Sequence, residues 1–245
     1  RGAKAQPKYA ALRRVVLTTV VLAFVAHGFD IGWRGTVGVH PASSVRESIG
    51  FLAFIITGGY LLASLRFRLT LGGAVVLPIS MLLLLVARLS PVGDDPSVHG
   101  SALSTLGRIH ISLATVGIGI FALASVLSAI YLVEEKNLKK KRFDTMSFHE
   151  APLEGLDRLA HRLVWAGFPI FTVALALGTV WIAKLDSGWD RPEYGLAVAT
   201  WVAFAAVLLM RTAYGWRGRR IAKLTLIGFG GALLVLAMYL LRRVF

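Results

Sequence analysis

The chain has 245 residues, 56% of them hydrophobic and only 16% charged, with a mean hydropathy of +0.68 and a formal net charge of +14. That balance excludes an ordinary water-soluble domain and places the chain in the membrane class. The absence of cysteine excludes disulfides, thiolate metal sites and iron–sulfur clusters, and leaves histidine as the main candidate ligand.

Seven charge-free apolar runs follow one another: Val15 to Phe29, Ile49 to Leu65, Leu69 to Ala87, Ile109 to Val133, Leu163 to Ala183, Tyr194 to Met210 and Leu224 to Leu241. Most reach the roughly 17 to 25 residues needed to cross about 30 Å of hydrocarbon as a helix, and the first does so if it continues to Trp33. Backbone polar groups in lipid must be satisfied within the segment or in a closed barrel, and no period-2 alternation suggests a barrel. The expected fold is an all-α polytopic bundle of about seven transmembrane helices, residues 1–245 forming a single integral membrane domain. Pro78 and Pro169 fall inside spans, where kinks are expected.

The connections predict orientation, because Lys and Arg gather in short cytoplasmic loops. Arg1, Lys4, Lys8, Arg13 and Arg14 precede the first run; Lys136, Lys139, Lys140, Lys141, Arg142 and Arg158 follow the fourth; Arg211, Arg217, Arg219, Arg220 and Lys223 follow the sixth. The intervening loops are poorer: Arg34 and Arg46 in the first, none between Pro91 and Leu103, and Arg191 beside Asp186, Asp190 and Glu193 in the fifth. Strict alternation puts the start of the chain in the cytoplasm and its end outside, in a bacterial-type cytoplasmic membrane. A further helix before Arg1 would move the N-terminus outside and change nothing else. The net charge then reflects this bias and attraction to anionic lipid headgroups, and nucleic acid is not an expected partner. Lys136 to Leu156 is the longest soluble stretch, and its tail from Pro152 to Asp157 reads as a short surface helix leading into the fifth span.

The histidines sort by depth. His40 and His99 fall in outer loops, His149 in the cytoplasmic loop, and His161 about a turn into the cytoplasmic end of the fifth span. His27 lies six residues before Trp33 and His110 six residues after Ser104, which puts both about 9 Å below the outer boundary. Intramembrane imidazoles are costly unless paired or ligated, so these two are functional candidates. Two axial histidines on different helices at one depth suit a six-coordinate haem b. Gly28 beside His27, and Ala114 and Gly117 on the face of His110, would admit the porphyrin, with Arg34, Arg46 or Arg108 pairing with its propionates. A single-ligand or transient haem contact, and histidines that merely bond neighbouring helices, stand beside that reading.

A family resemblance rests on several stretches in order. His40-Pro41-Ala42-Ser43-Ser44-Val45-Arg46-Glu47-Ser48-Ile49-Gly50-Phe51-Leu52 resembles the outer loop and helix start of the CcsA/ResC/HemX-type cytochrome c assembly family. Ile109-His110-Ile111-Ser112-Leu113 is similar to a family helix whose histidine serves as an outer haem ligand. Leu156 to Leu163 resembles the lead-in to the family's next span, and Tyr214-Gly215-Trp216-Arg217-Gly218-Arg219-Arg220 its cytoplasmic turn before the last helix. There are departures. Of the family's tryptophan-rich outer segment only Trp189-Asp190-Arg191-Pro192-Glu193 and Thr200-Trp201 remain, and interfacial anchoring is an alternative role for Trp189. Leu208, Leu209 and Met210 stand where a ligand histidine is expected, and the chain stops at Phe245, before a second outer histidine.

The resemblance therefore implies a short, reduced member, nearer the HemX type, that handles haem during cytochrome c maturation, while the residue inventory argues against catalysis of thioether formation by this chain alone. Trp189 and Asp190 join His27, Gly28, Arg34, Arg46, Arg108 and His110 as expected cofactor-binding residues, with His27 and His110 as the metal ligands. Expected partners are the lipid bilayer and other cytochrome assembly or respiratory membrane subunits. Two alternatives remain open: a haem b electron-transfer subunit of a respiratory membrane complex, and a non-enzymatic regulatory or scaffold protein. No carboxylate pair, nucleophile triad, phosphate loop or zinc motif supports a hydrolase or NTPase.

Overall fold

A computed structural model describes residues 7–67, 70–90, 102–139, 152–185, 189 and 191–244. The described chain is all helical: α1 (Pro7–Thr36), α2 (Val45–Arg66), α3 (Thr70–Leu89), α4 (Ala102–Lys139), α5 (Leu153–Leu185), α6 (Pro192–Thr212) and α7 (Arg219–Val244). All seven are long and apolar enough to cross a membrane, as the seven apolar runs require. The chain divides into two compact units, Arg1–Val39 and His40–Phe245.

Local chemistry sets the helix ends. Ser44 caps α2, its hydroxyl accepting the Glu47 N–H at 3.2 Å, which satisfies one of the donors that an α-helix leaves free at its start. Pro192 opens α6, where a missing N–H costs nothing. Six of the helices extend past both ends of their apolar runs, and α3 past the C-terminal end of its own, because hydropathy marks the hydrocarbon span and not the hydrogen-bonded ladder. In α4 the excess is stabilised by an i,i+4 pair, Lys139 with Glu135 at 2.6 Å.

The separate surface helix expected from Pro152 to Asp157 is not there. Leu153 onward is the first turn of a continuous α5, and the Pro152 carbonyl accepts from Gly155 N at 2.7 Å. The reason is burial: Leu156 is fully buried in the bundle core, which ties this turn to the span it begins. Pro78 and Pro169 both lie inside uninterrupted helices.

Within the second unit α4 is the hub, packing against α2, α3, α5 and α7, while α6 packs on α5 and α7. One core cluster joins Leu52, Ile56 and Tyr60 of α2 to Val76 of α3, Leu123 and Leu127 of α4 and Leu156 of α5. A second is aromatic: Phe121 stacks on Phe204 at 3.7 Å between centroids and meets Phe171 edge-on at 5.5 Å, fixing α4 against α5 and α6.

Candidate cofactor site

Above those cores, toward the end that the charge bias places outside, five helices of the second unit enclose a cavity of about 420 Å³. That volume lies within the roughly 300–1,000 Å³ of cofactor and small-molecule sites. Ile49, Ala114, Ile118, Phe171 and Val235 supply apolar walls, and the polar atoms come from His110, Arg191, Glu193 and Tyr194 among others.

His110 lies two turns into α4. Its Nδ1 is 2.6 Å from the backbone carbonyl of Ala174 on α5. A carbonyl accepts only, so Nδ1 donates, and a neutral imidazole then presents Nε2 as its lone-pair nitrogen. Nε2 has no partner among the described residues. The ring also lies against Trp181, with centroids 6.1 Å apart. At the rim the Tyr194 hydroxyl meets Thr179 Oγ1 at 3.2 Å, and Arg191 precedes Pro192 at the start of α6.

The other expected site residues are placed as follows. His27, Gly28 and Arg34 belong to α1 in the first unit, where Arg34 Nε pairs with Asp30 Oδ2 at 3.0 Å. Arg46 lies in the first turn of α2 and Arg108 one turn into α4; neither lines the cavity. Ala114 does line it, whereas Gly117 packs against Phe171, a Cβ there standing 3.2 Å from the Phe171 Cβ. Trp189 is exposed and meets Tyr194 edge-on at 5.5 Å, while Trp201 donates to Thr172 Oγ1 at 2.9 Å and serves the α5–α6 contact. Asp190, Asp186, His99, His149 and most of the 91–103 and 136–156 loops lie outside the described residues. The sequence did not single out Gly178 and Trp181 of α5, which face His110 across 68 and 71 residues of chain.

The opposite end holds a polar knot. Asp157 of α5 pairs with Arg211 of α6 at 2.8 Å and accepts the Gly218 N–H at 3.1 Å, both ionic side chains being about nine-tenths buried. His161 lines a water-sized void of about 10 Å³ beside this pair, with Nδ1 buried and without a partner. The Leu156–Leu163 stretch and the Tyr214–Arg220 turn, distant in sequence, thus meet here. Among the described residues no three His, Asp or Glu side chains gather as a metal site.

Seven helices long and apolar enough to cross a membrane make this a multi-pass helical membrane protein. It belongs to the cytochrome C assembly protein family, whose model matches residues 42–245. It is similar to proteins named cytochrome c biogenesis protein CcsA from several organisms. Identity is 27% to that of Porphyra purpurea over 91% of this chain and 83% of the relative. It is 30% to that of Guillardia theta, over 86% and 77% respectively. The Prochlorococcus marinus (strain MIT 9215) protein is 29% identical over 98% of this chain and 84% of its own length. No solved structure matches the chain.

Proposed function

We propose that this protein binds haem b in the cavity and presents it during maturation of c-type cytochromes, with His110 Nε2 as an iron ligand. One observation carries the reading: a histidine whose Nδ1 is committed to the Ala174 carbonyl lines a large, mostly apolar cavity. That is the arrangement by which a second partner fixes a ligating imidazole. The donor set fits haem. The walls suit a porphyrin face, and Arg191 suits a propionate as a charge-assisted donor. Bound haem supplies the iron-porphyrin that c-type cytochromes carry covalently; the chain's own residues ligate it, exclude water and hold its acidic edge. His27, in α1 of the first unit, is proposed as a haem-iron ligand on the depth argument alone. The membrane is proposed to be bacterial-type cytoplasmic, with other assembly or respiratory subunits as partners.

Absorption spectra of detergent-solubilised protein, oxidised and reduced, test this. Wild-type protein should show low-spin b-type bands. Both His110→Ala and His27→Ala should turn them high-spin or abolish them, whereas His161→Ala should leave them intact. Well-folded wild-type protein that takes up no haem would overturn the reading and leave a scaffold role. Reversible redox cycling with a partner subunit, without haem loss to an apocytochrome, would instead assign electron transfer.

A further inference from the structure

We infer that Ala174 and Gly178, one turn apart on α5, form a seat that sets the orientation and tautomer of His110. In an α-helix the N–H of residue 178 is directed at the carbonyl of residue 174, and a side chain at 178 lies over the preceding turn. The absence of a side chain at position 178 therefore leaves room beside the Ala174 carbonyl for a donor from another helix. His110 occupies that opening. Its Nδ1 reaches the carbonyl at 2.6 Å, and a Cβ built on Gly178 would stand 2.6 Å from His110 Cε1, 2.9 Å from Nδ1 and 3.3 Å from Nε2. Real Cβ atoms essentially never show the closest of these approaches, so the ring would have to move. An Ala at 178 would force the imidazole to shift and disturb its bond to Ala174.

Small residues four apart also serve plain helix packing in membranes, and that role predicts lost stability without any change in the state of the ring. The seat predicts more. Because Nδ1 gives its proton to a carbonyl, Nε2 is the nitrogen offered to the cavity, and Gly178 acts on the ligand only through His110. It is a positioning residue. The haem arm of its test rests on the function proposed above, whereas the nitrogen arm does not.

Nitrogen NMR of histidine-labelled protein in detergent without haem, with His110→Ala to assign the signals, reads the tautomer directly. Wild-type His110 should be protonated at Nδ1 with a bare Nε2, and Gly178→Ala should lose that single state. A wild-type ring protonated at Nε2 alone would overturn the seat without any need for a variant. In a haemin titration Gly178→Ala should weaken binding about 10- to 100-fold, the range for losing a partner of a metal-bound histidine. Placed on His110→Ala, the same change should alter affinity by no more than about twofold, the usual limit for independent sites. An equal loss in both backgrounds would reduce Gly178 to packing and overturn the inference. If wild-type protein takes no haemin, the ligand reading falls and the nitrogen spectrum still decides the seat.

Discussion

His40 closes the turn before α2 by accepting the Ala42 N–H at Nδ1, 3.1 Å away, a role open only to the unprotonated nitrogen. Partial burial, and secondarily the positive charge of Arg108, hold this imidazole below its ordinary value of 6.5. The folded turn therefore binds a proton less readily than the unfolded chain, so its contribution is complete above 6.5 and declines as pH falls through the lowered value. Hydrogen-exchange protection of the Ala42 amide should drop on acidification below 6.5 and be insensitive to pH in His40→Ala; pH-independent protection in wild-type protein would contradict this. At this scale the sequence reveals depth but not facing. His110 was legible because an imidazole inside an apolar run stands out, whereas Gly178 reads as one more glycine in a membrane helix. Only the packing of α4 on α5 shows that it clears the ring. The cationic partners were expected near the starts of α2 and α4 and the end of α1. Among the described residues the arginine that lines the cavity is Arg191, just before α6.

Among the elements, the junction of α5, α6 and α7 is held by one carboxylate. Asp157 neutralises Arg211 and caps the Gly218 N–H, so Asp157→Ala leaves a guanidinium nine-tenths buried and a backbone donor without an acceptor. A fully buried pair costs about 3–5 kcal/mol to break, and a site at the end of a bundle retains some water, so about 2–3 kcal/mol is expected. That corresponds to a fall of roughly 4–12 °C in apparent Tm in detergent, while the spectrum of haem at the proposed site, about two-thirds of α5 away, should be unchanged. Gly218→Ala should destabilise as well, since its φ of +64° disfavours a side chain and the Tyr131 hydroxyl stands 2.7 Å from the Cβ position. A variant of Asp157 as stable as wild type would show that the pair is solvated. The spans themselves were legible from hydropathy. Their ends were not, because i,i+4 ion pairs such as Lys139 with Glu135, and contacts such as that of Leu156 with the core, extend helices beyond the hydrocarbon.

For the whole molecule, charge asymmetry predicts topology, and the fold sharpens the test. α4 has 38 residues, roughly 57 Å at 1.5 Å each, against about 30 Å of hydrocarbon, so it must project well beyond at least one boundary. Its C-terminal turns carry Glu134, Glu135, Lys136 and Lys139, whereas its first two turns hold Arg108 alone, so the projection belongs at the basic end. With the seven spans alternating, that end shares a side with the α6–α7 turn bearing Arg217, Arg219 and Arg220, and Trp189 falls on the other. The positive-inside bias predicts that the basic side is cytoplasmic. Because the native chain has no cysteine, single cysteines report without background. Lys139→Cys and Arg217→Cys, both exposed positions, should resist an impermeant thiol reagent applied to intact cells and react once the membrane is permeabilised. Trp189→Cys, half exposed, should react from outside at once. The reverse pattern would invert the molecule and put the mouth of the cavity in the cytoplasm. Labelling of Lys139→Cys from one side and Arg217→Cys from the other would break the seven-span alternation itself.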